Sequence, residues 1–326
     1  MSTFRTPLLV PPAPFRISHD DRLMLVGSCF TEHIGERLSA GKFSALVNPF
    51  GIVYNPASMV RCLERLWAEN QVFDKTELFE HAGLWRSWEH HGHFAQADKN
   101  AALTNINRAY WSGADWLHRS NRLLLTFGTA DVFALRDTDQ VVANNHKMPA
   151  AHFVPRRLSI TEIVDGTLGI LQKIKIKIPD LQVIVTVSPV RHLREGAVAN
   201  QRSKATLVLA CEQICQNLPF VHYFPAYELL LDDLRDYRFY ASDMVHPSEM
   251  AVDYIWQAFC DAYFSSGTKA LLNSIEKIQA AVGHRPFHPD IPEHQAFLQA
   301  QLEAVERLQK EWPMLNFSTE RAHFER

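Results

Sequence analysis

The chain has 326 residues, 47% of them hydrophobic and 21% charged, with a net charge of −3 when histidine is neutral. That length suits one large α/β domain with insertions, and no segment reaches the uninterrupted apolar length that a membrane-spanning helix needs. The near-neutral charge, without a long basic run, excludes nucleic acid as the principal partner. Residues 1–5 lead into a Pro-rich piece at 7–14, not into a basic start with an apolar core, so no secretion leader is expected and the expected location is the cytoplasm. Five cysteines without a CxxC pair fit reduced thiols.

Taken in order, residues 1–21 read as an extended arm, because the prolines deny it helix and ladder hydrogen bonds. A first strand is expected at 22–26, where four apolar residues run into Gly27-Ser28-Cys29-Phe30. A helix follows, with Phe30, Ile34 and Leu38 on one stripe. A short second strand at 44–47 ends in Asn48-Pro49-Phe50-Gly51-Ile52-Val53-Tyr54-Asn55-Pro56, whose two Asn-Pro pairs around a glycine mark a shaped loop. After a helix over 56–69, residues 70–118 interrupt the alternation as an insertion rich in Trp and His, ending in a helix over 99–117. The third strand, 122–127, runs into Gly128-Thr129-Ala130-Asp131, and residues 141–149 form a hairpin or loop excursion.

A helix over 161–177, capped by Ser159 or Thr161, leads to a fourth strand at 182–187. A helix over 203–216 then leads to a fifth strand at 221–224. Strands alternating with helices predict a parallel sheet covered on both faces, in the flavodoxin-like order two-one-three-four-five. Beyond residue 267, amphipathic helices over 270–282 and 293–312, joined by a Pro-rich link at 284–292, form a C-terminal helical extension that serves as an appendage or an oligomerisation element. The expected division is therefore 1–267 and 268–326.

Ser28 falls where a buried strand becomes a helix, at the carboxyl edge of the sheet, a place suited to a nucleophile that develops negative charge. Asp243 and His246, three residues apart, let a carboxylate face an imidazole within one turn and fix its tautomer. In such a sheet the loops after the first and last strands open on the same edge, which gives a triad in the order Ser28, Asp243, His246. The Ser28 N–H, Gly51 and Thr129 are candidate oxyanion donors, with an ordinary turn glycine the other reading of Gly51.

These motifs together resemble the GSCFA family, a branch related to the SGNH (GDSL-like) hydrolases. The segments that carry the resemblance are Gly27-Ser28-Cys29-Phe30-Thr31, Asn48 through Pro56, Leu125 through Ala130, Val142-Ala143-Asn144-Asn145-His146-Lys147, Thr186 through His192, and Asp243-Met244-Val245-His246-Pro247. The resemblance implies a three-layer SGNH hydrolase-like fold, a nucleophilic Ser28, a base His246 with Asp243, and an oxyanion glycine at Gly51. The broader SGNH pattern places an Asn donor after the third strand, where this chain has none, so Thr129 or Asn145 is expected to stand in. Asn55, His146, Arg191 and His192 are expected to contact substrate.

The expected activity is that of a serine esterase or acyltransferase working on an O-acyl ester of a carbohydrate or lipid, without a cofactor. The alternative is a non-catalytic glycan- or lipid-binding protein that keeps the fold. Arg191, His192 and Arg194 read equally as an anion-recognising group or a solvated basic loop. His90, His91 and His93 are too close in sequence to converge easily on one metal ion, and none is expected. Trp85, Trp88 and Trp111 read as core or as a sugar-stacking wall.

Overall fold

The computed structural model describes residues 6–288 and 291–325. Residues 1–5, on which the expectation about a leader rests, lie outside the described residues. In chain order the elements begin with β1 (Arg22–Gly27), α1 (Cys29–Ala40), β2 (Ser44–Val47) and α2 (Pro56–Trp67). Next come β3 (Leu78–His81), β4 (Leu84–Ser87), α3 (Lys99–Leu117), β5 (Arg122–Phe127), β6 (Asp131–Leu135) and β7 (Phe153–Arg157). The chain continues through α4 (Ile160–Lys177), β8 (Gln182–Val187), α5 (Gly196–Asn217), β9 (Val221–Phe224), a short α6 (Ala226–Glu228) and a π-helical turn over Leu229–Leu234. It closes with α7 (Glu249–Tyr263), α8 (Ser266–Gly283), α9 (Pro292–Glu311) and α10 (Ser318–Phe324).

Five strands form one sheet in the order β2-β1-β5-β8-β9, and every pair is parallel. Counted along this sheet alone, that is the expected two-one-three-four-five arrangement. The side-chain alternation of each strand explains why the sheet needs cover on both faces. Met24 and Val26 of β1 enter one core with Leu123, Leu125, Val183 and Val185, beneath residues of α2, α3, α4 and α5. Leu23 and Leu25 point the other way, with Leu124 and Ile184, into a core closed by α1 and α7. Each fully buried Leu or Val stabilises this sandwich by about 1.5–3 kcal/mol, so the apolar runs hold the sheet between its two helical layers.

Three details depart from the sequence reading. The insertion contains an antiparallel hairpin, β3 with β4, that short half-polar segments did not announce. The excursion after β5 is built on β6 paired with β7, while Val141 contributes only a single bridge to Ala134. Helix α5 begins at Gly196 rather than near residue 203. The insertion is fastened to α2 through Arg65, whose guanidinium bonds Glu77 at 2.6 Å and Glu89 at 3.1 Å. The same guanidinium lies 3.5 Å over the Phe73 ring.

The C-terminal segment forms three helices, α8, α9 and α10, which share a small core of Leu271, Ile275, Ile278, Val305, Leu315, Phe317 and Phe324. It docks beside the start of β2, where Lys42 pairs with Glu320 at 2.5 Å and Gln279 Nε2 donates to Ala40 O at 3.1 Å. That is the amino edge of the sheet. Ser28, Gly128 and Ser188 follow the strands at the opposite edge. Among the described residues, no helix is long and apolar enough to cross a membrane.

Candidate active site

The turn from β1 into α1 is shaped by Gly27. A Cβ on this residue would lie 2.5 Å from Thr126 O and 2.6 Å from Thr31 Oγ1, so only glycine lets the strand end against β5. Its N–H donates to Asn48 Oδ1 at 2.9 Å and its carbonyl accepts from Val53 N–H at 3.0 Å, which ties the loop after β2 to this turn. Ser28 then occupies the N-cap of α1 but makes no side-chain cap bond. A serine there ordinarily satisfies a helix N–H with its hydroxyl. Here Oγ is buried and, among the described residues, has no hydrogen-bond partner, at the end of α1 where the helix dipole is positive. Beside it, burial pushes the Cys29 thiol up, so the cysteine packs as an uncharged neighbour.

The second half of the site lies in the loop after the π-helical turn. Asp243 Oδ2 accepts from His246 Nδ1 at 2.7 Å, while its Oδ1 accepts the backbone N–H groups of Val245 at 2.9 Å and His246 at 3.0 Å. Those hydrogen bonds hold the Asp243 carboxyl at about 2. Because an ionised carboxylate only accepts, the proton of neutral His246 sits on Nδ1 and Nε2 keeps its lone pair. Arg191 braces this loop: its backbone N–H donates to Val245 O at 3.1 Å, and its guanidinium lies 4.0 Å over Tyr240. Arg191 therefore turns toward the loop that presents His246.

His192, its neighbour, turns the other way. Its Nε2 is buried without a partner among the described residues, and its ring meets Tyr54 edge-on at 5.5 Å. Burial, then the nearby charges of Lys204 and His246, push the imidazole down to about 4. Gly128 lies between Ser28 and His192. A Cβ built on it would lie 2.9 Å from Tyr54 O, 3.3 Å from His192 Nε2 and 3.4 Å from Ser28 Cβ. Beneath this loop Lys204 is fully buried, with Nζ donating to Gly128 O and to Ser188 O, each at 2.7 Å. Burial pushes that amine down to about 7.

The expected oxyanion donors fare unevenly. Gly51, at φ 78°, donates its N–H to Asn48 O at 2.7 Å, and its α-carbon is crowded by His91, so a turn and a close approach explain the glycine. The N–H groups of Gly128 and Thr129 both donate to Tyr54 O, at 2.8 and 3.0 Å. Thr129 Oγ1 bonds Ser203 Oγ at 3.0 Å. Asn145 Oδ1 accepts from Lys147 N–H within its own turn at 3.2 Å. The Ser28 N–H makes a long bond of 3.3 Å to Thr126 O.

Two expected substrate contacts have structural partners. Asn55 caps α2 by accepting from Ser58 N–H at 2.8 Å. His146 Nε2 bonds Ser87 O at 2.7 Å beneath the insertion, and burial pushes its ring down to about 4.

In the histidine-rich stretch, His91 and His93 approach through their Nδ1 atoms at 2.9 Å. Among the described residues, no three His, Cys, Asp or Glu side chains are grouped as metal ligands. Trp88 stacks on Phe79 at 3.7 Å, Trp85 lies beneath Lys99, and Trp111 is 52% exposed on α3, so the three tryptophans occupy separate places.

Sequence reading missed Lys204 and Gly128. The signal for Lys204 was present: a lone cation on the inward stripe of α5 with Ser203, Leu207, Cys211 and Ile214, all buried.

The fold and these residues define a flavodoxin-like α/β protein with an uncapped serine and an aspartate-oriented histidine on the carboxyl edge of one parallel sheet. The chain belongs to the GSCFA family, whose profile matches residues 22–259, and the profile of the GSCFA domain protein C-terminal domain matches residues 275–326. No curated protein matches the chain.

Solved structures similar to it include a carbohydrate esterase family 3 protein from Talaromyces cellulolyticus, at 10% identity and TM-score 0.35, covering 79% of this chain and 99% of that one. Another is a carbohydrate esterase family 2 enzyme with a carbohydrate-binding domain from Corynascus thermopiles, at 12% identity and TM-score 0.40, covering 81% and 69%. A third is an acetyl xylan esterase from Butyrivibrio proteoclasticus, at 10% identity and TM-score 0.35, covering 84% and 66%.

Proposed function

We propose that the chain is a serine esterase or O-acyltransferase acting on an O-acyl ester of a carbohydrate or lipid. The observation that carries this reading is the Asp243–His246 pair, whose 2.7 Å bond leaves His246 Nε2 as a proton acceptor on the sheet edge where Ser28 has an uncommitted hydroxyl. Ser28 Oγ attacks the ester carbonyl and His246 takes its proton. The acyl-enzyme is then resolved by water or by an acceptor hydroxyl, with His246 acting in reverse. Hydrolysis and transfer use the same residues and differ in whether the closed site excludes water.

The complete burial of Ser28 would also suit a binding protein that has abandoned the chemistry, and the decisive test separates the two. A fluorophosphonate probe is expected to label wild-type protein once, and Ser28→Ala not at all. His246→Ala is expected to remain folded and lose nearly all turnover of short acyl esters and acetylated sugars. Unlabelled wild-type protein, or equal labelling of Ser28→Ala, refutes the nucleophile.

A further inference from the structure

An acyl transfer needs hydrogen-bond donors aimed at the oxygen that gains charge, and the removal of one such donor costs about 10²- to 10³-fold in kcat. In this site the Ser28 N–H makes only a long bond of 3.3 Å to Thr126 O, while the glycine and threonine N–H donors are engaged. The Gly51 N–H serves its own turn, and the Gly128 and Thr129 N–H groups share the Tyr54 carbonyl. Besides Ser28 Oγ, one further polar atom beside Gly128 is not engaged. His192 Nε2 is buried, has no partner among the described residues, and lies 3.3 Å from the point above Gly128 that is itself 3.4 Å from Ser28 Cβ.

Resting on the esterase reading, we infer that His192 is a catalytic residue: its Nε2–H donates to the carbonyl oxygen of the bound ester as that oxygen becomes an oxyanion. Gly128 is then required for its emptiness, since a side chain there would fill the gap between Ser28 and His192.

The chemistry distinguishes this histidine from the base. His246 has a carboxylate on Nδ1 to stabilise its protonated form, whereas burial above all, and then the nearby charges of Lys204 and His246, oppose protonation of His192. His192 therefore stays a neutral imidazole, a donor that does not give up its proton. In the addition step Ser28 Oγ bonds the carbonyl carbon, its proton passes to His246 Nε2, and the carbonyl π pair moves onto oxygen, where the His192 N–H receives it. On collapse the C–O bond to the leaving alcohol breaks and His246 returns the proton to that oxygen. His192 ends each step with the proton it began with.

The test compares His192→Phe, which keeps a ring but has no donor, with His192→Gln, which has a donor but cannot act as a base, using aryl acetates and full-length protein. His192→Phe is expected to lower kcat by about 10²- to 10³-fold with KM little changed, and His192→Gln to recover most of that loss. Recovery by glutamine excludes a base role, and a packing role would not divide the two variants in kcat alone.

A second readout needs no functional variant. In wild-type protein phosphonylated at Ser28, the ¹⁵N signal of His192 Nε2 should be that of a protonated nitrogen. An unprotonated Nε2 in that adduct, or wild-type kcat in His192→Phe while Ser28 labels normally, overturns this inference and leaves the esterase reading standing. Failure of wild-type protein to label or to turn over any ester overturns both.

Discussion

A single methyl group at Gly128 interrogates the whole site. In Gly128→Ala the new Cβ lies 2.9 Å from Tyr54 O, 3.3 Å from His192 Nε2 and 3.4 Å from Ser28 Cβ. The nearest of these is backbone, and it is held in place: Tyr54 O accepts from Gly128 N–H at 2.8 Å and from Thr129 N–H at 3.0 Å. On the other side Gly128 O accepts from Lys204 Nζ at 2.7 Å. The loop therefore yields only by loosening one of these bonds. One methyl of overpacking plus a weakened buried hydrogen bond amounts to about 2–4 kcal/mol of lost stability.

The control is Gly169→Ala within α4, where nothing lies within 4 Å of the new Cβ. Helix propensity there predicts a gain of about 0.5–1 kcal/mol. Urea midpoints at constant m measure both variants. Because the displaced atoms border Ser28, ester turnover of Gly128→Ala should also fall, by about 10²-fold. A Gly128→Ala midpoint at or above that of wild type would show that the loop is not pinned as described.

Lys204 supplies a pH test. Its folded value of about 7 lies below the ordinary 10.5, so between these values the unfolded chain binds more protons and stability rises with pH. The rise attributable to this group is up to about 1.4 kcal/mol per pH unit, and the difference between wild type and Lys204→Met should show it between pH 7 and 9; parallel profiles contradict it. The buried rings of His146 and His192, both at about 4 against an ordinary 6.5, act in the same sense at lower pH. Their contribution is lost as pH falls from about 6.5 toward 4, so melting temperature should drop through that window, and a flat profile would count against their burial. Arg65→Leu strands Glu89, whose carboxyl burial already pushes up, and should cost about 3–5 kcal/mol in chemical unfolding. Adding Glu89→Gln should return part of that loss, and no return would mean the pair is not coupled.

What could be read from the sequence was local. The apolar runs of β1, β5 and β8 are buried on both faces, so composition alone marks them as central parallel strands. The Asp243–His246 contact spans three residues, so spacing was sufficient to foresee it. The β3–β4 hairpin was not legible, because Glu80, His81 and Arg86 dilute its apolar pattern. Nor did sequence reveal which N–H groups are engaged. Gly51 closes a turn onto Asn48 O, but Gly128 and Thr129 face Tyr54 O across loops, a relation that no local pattern encodes. Arg191, His192 and Arg194 read as one basic group, yet the strand end sends the first two side chains apart, Arg191 onto the Asp243–His246 loop and His192 toward Gly128.

The distribution of unmet hydrogen-bonding capacity draws the site together. Ser28 Oγ, Thr31 Oγ1, Thr126 Oγ1, Asn48 Nδ2 and His192 Nε2 are buried without partners among the described residues. Thr31 and Thr126 crowd Gly27, Asn48 accepts its N–H, and Ser28 and His192 flank Gly128, so all five surround one strand-to-helix turn. An unsatisfied buried polar group costs about 1–3 kcal/mol, and alanine or valine at the hydroxyl positions would remove that cost without altering the fold. Other buried polar atoms without such partners, on Ser58, Thr167 and Glu320 among them, lie elsewhere, so what bears on the proposed chemistry is the placing of Ser28 and His192 on either side of Gly128. Under the proposed esterase chemistry, a carbonyl compound entering between that hydroxyl and that imidazole would supply the partners both lack.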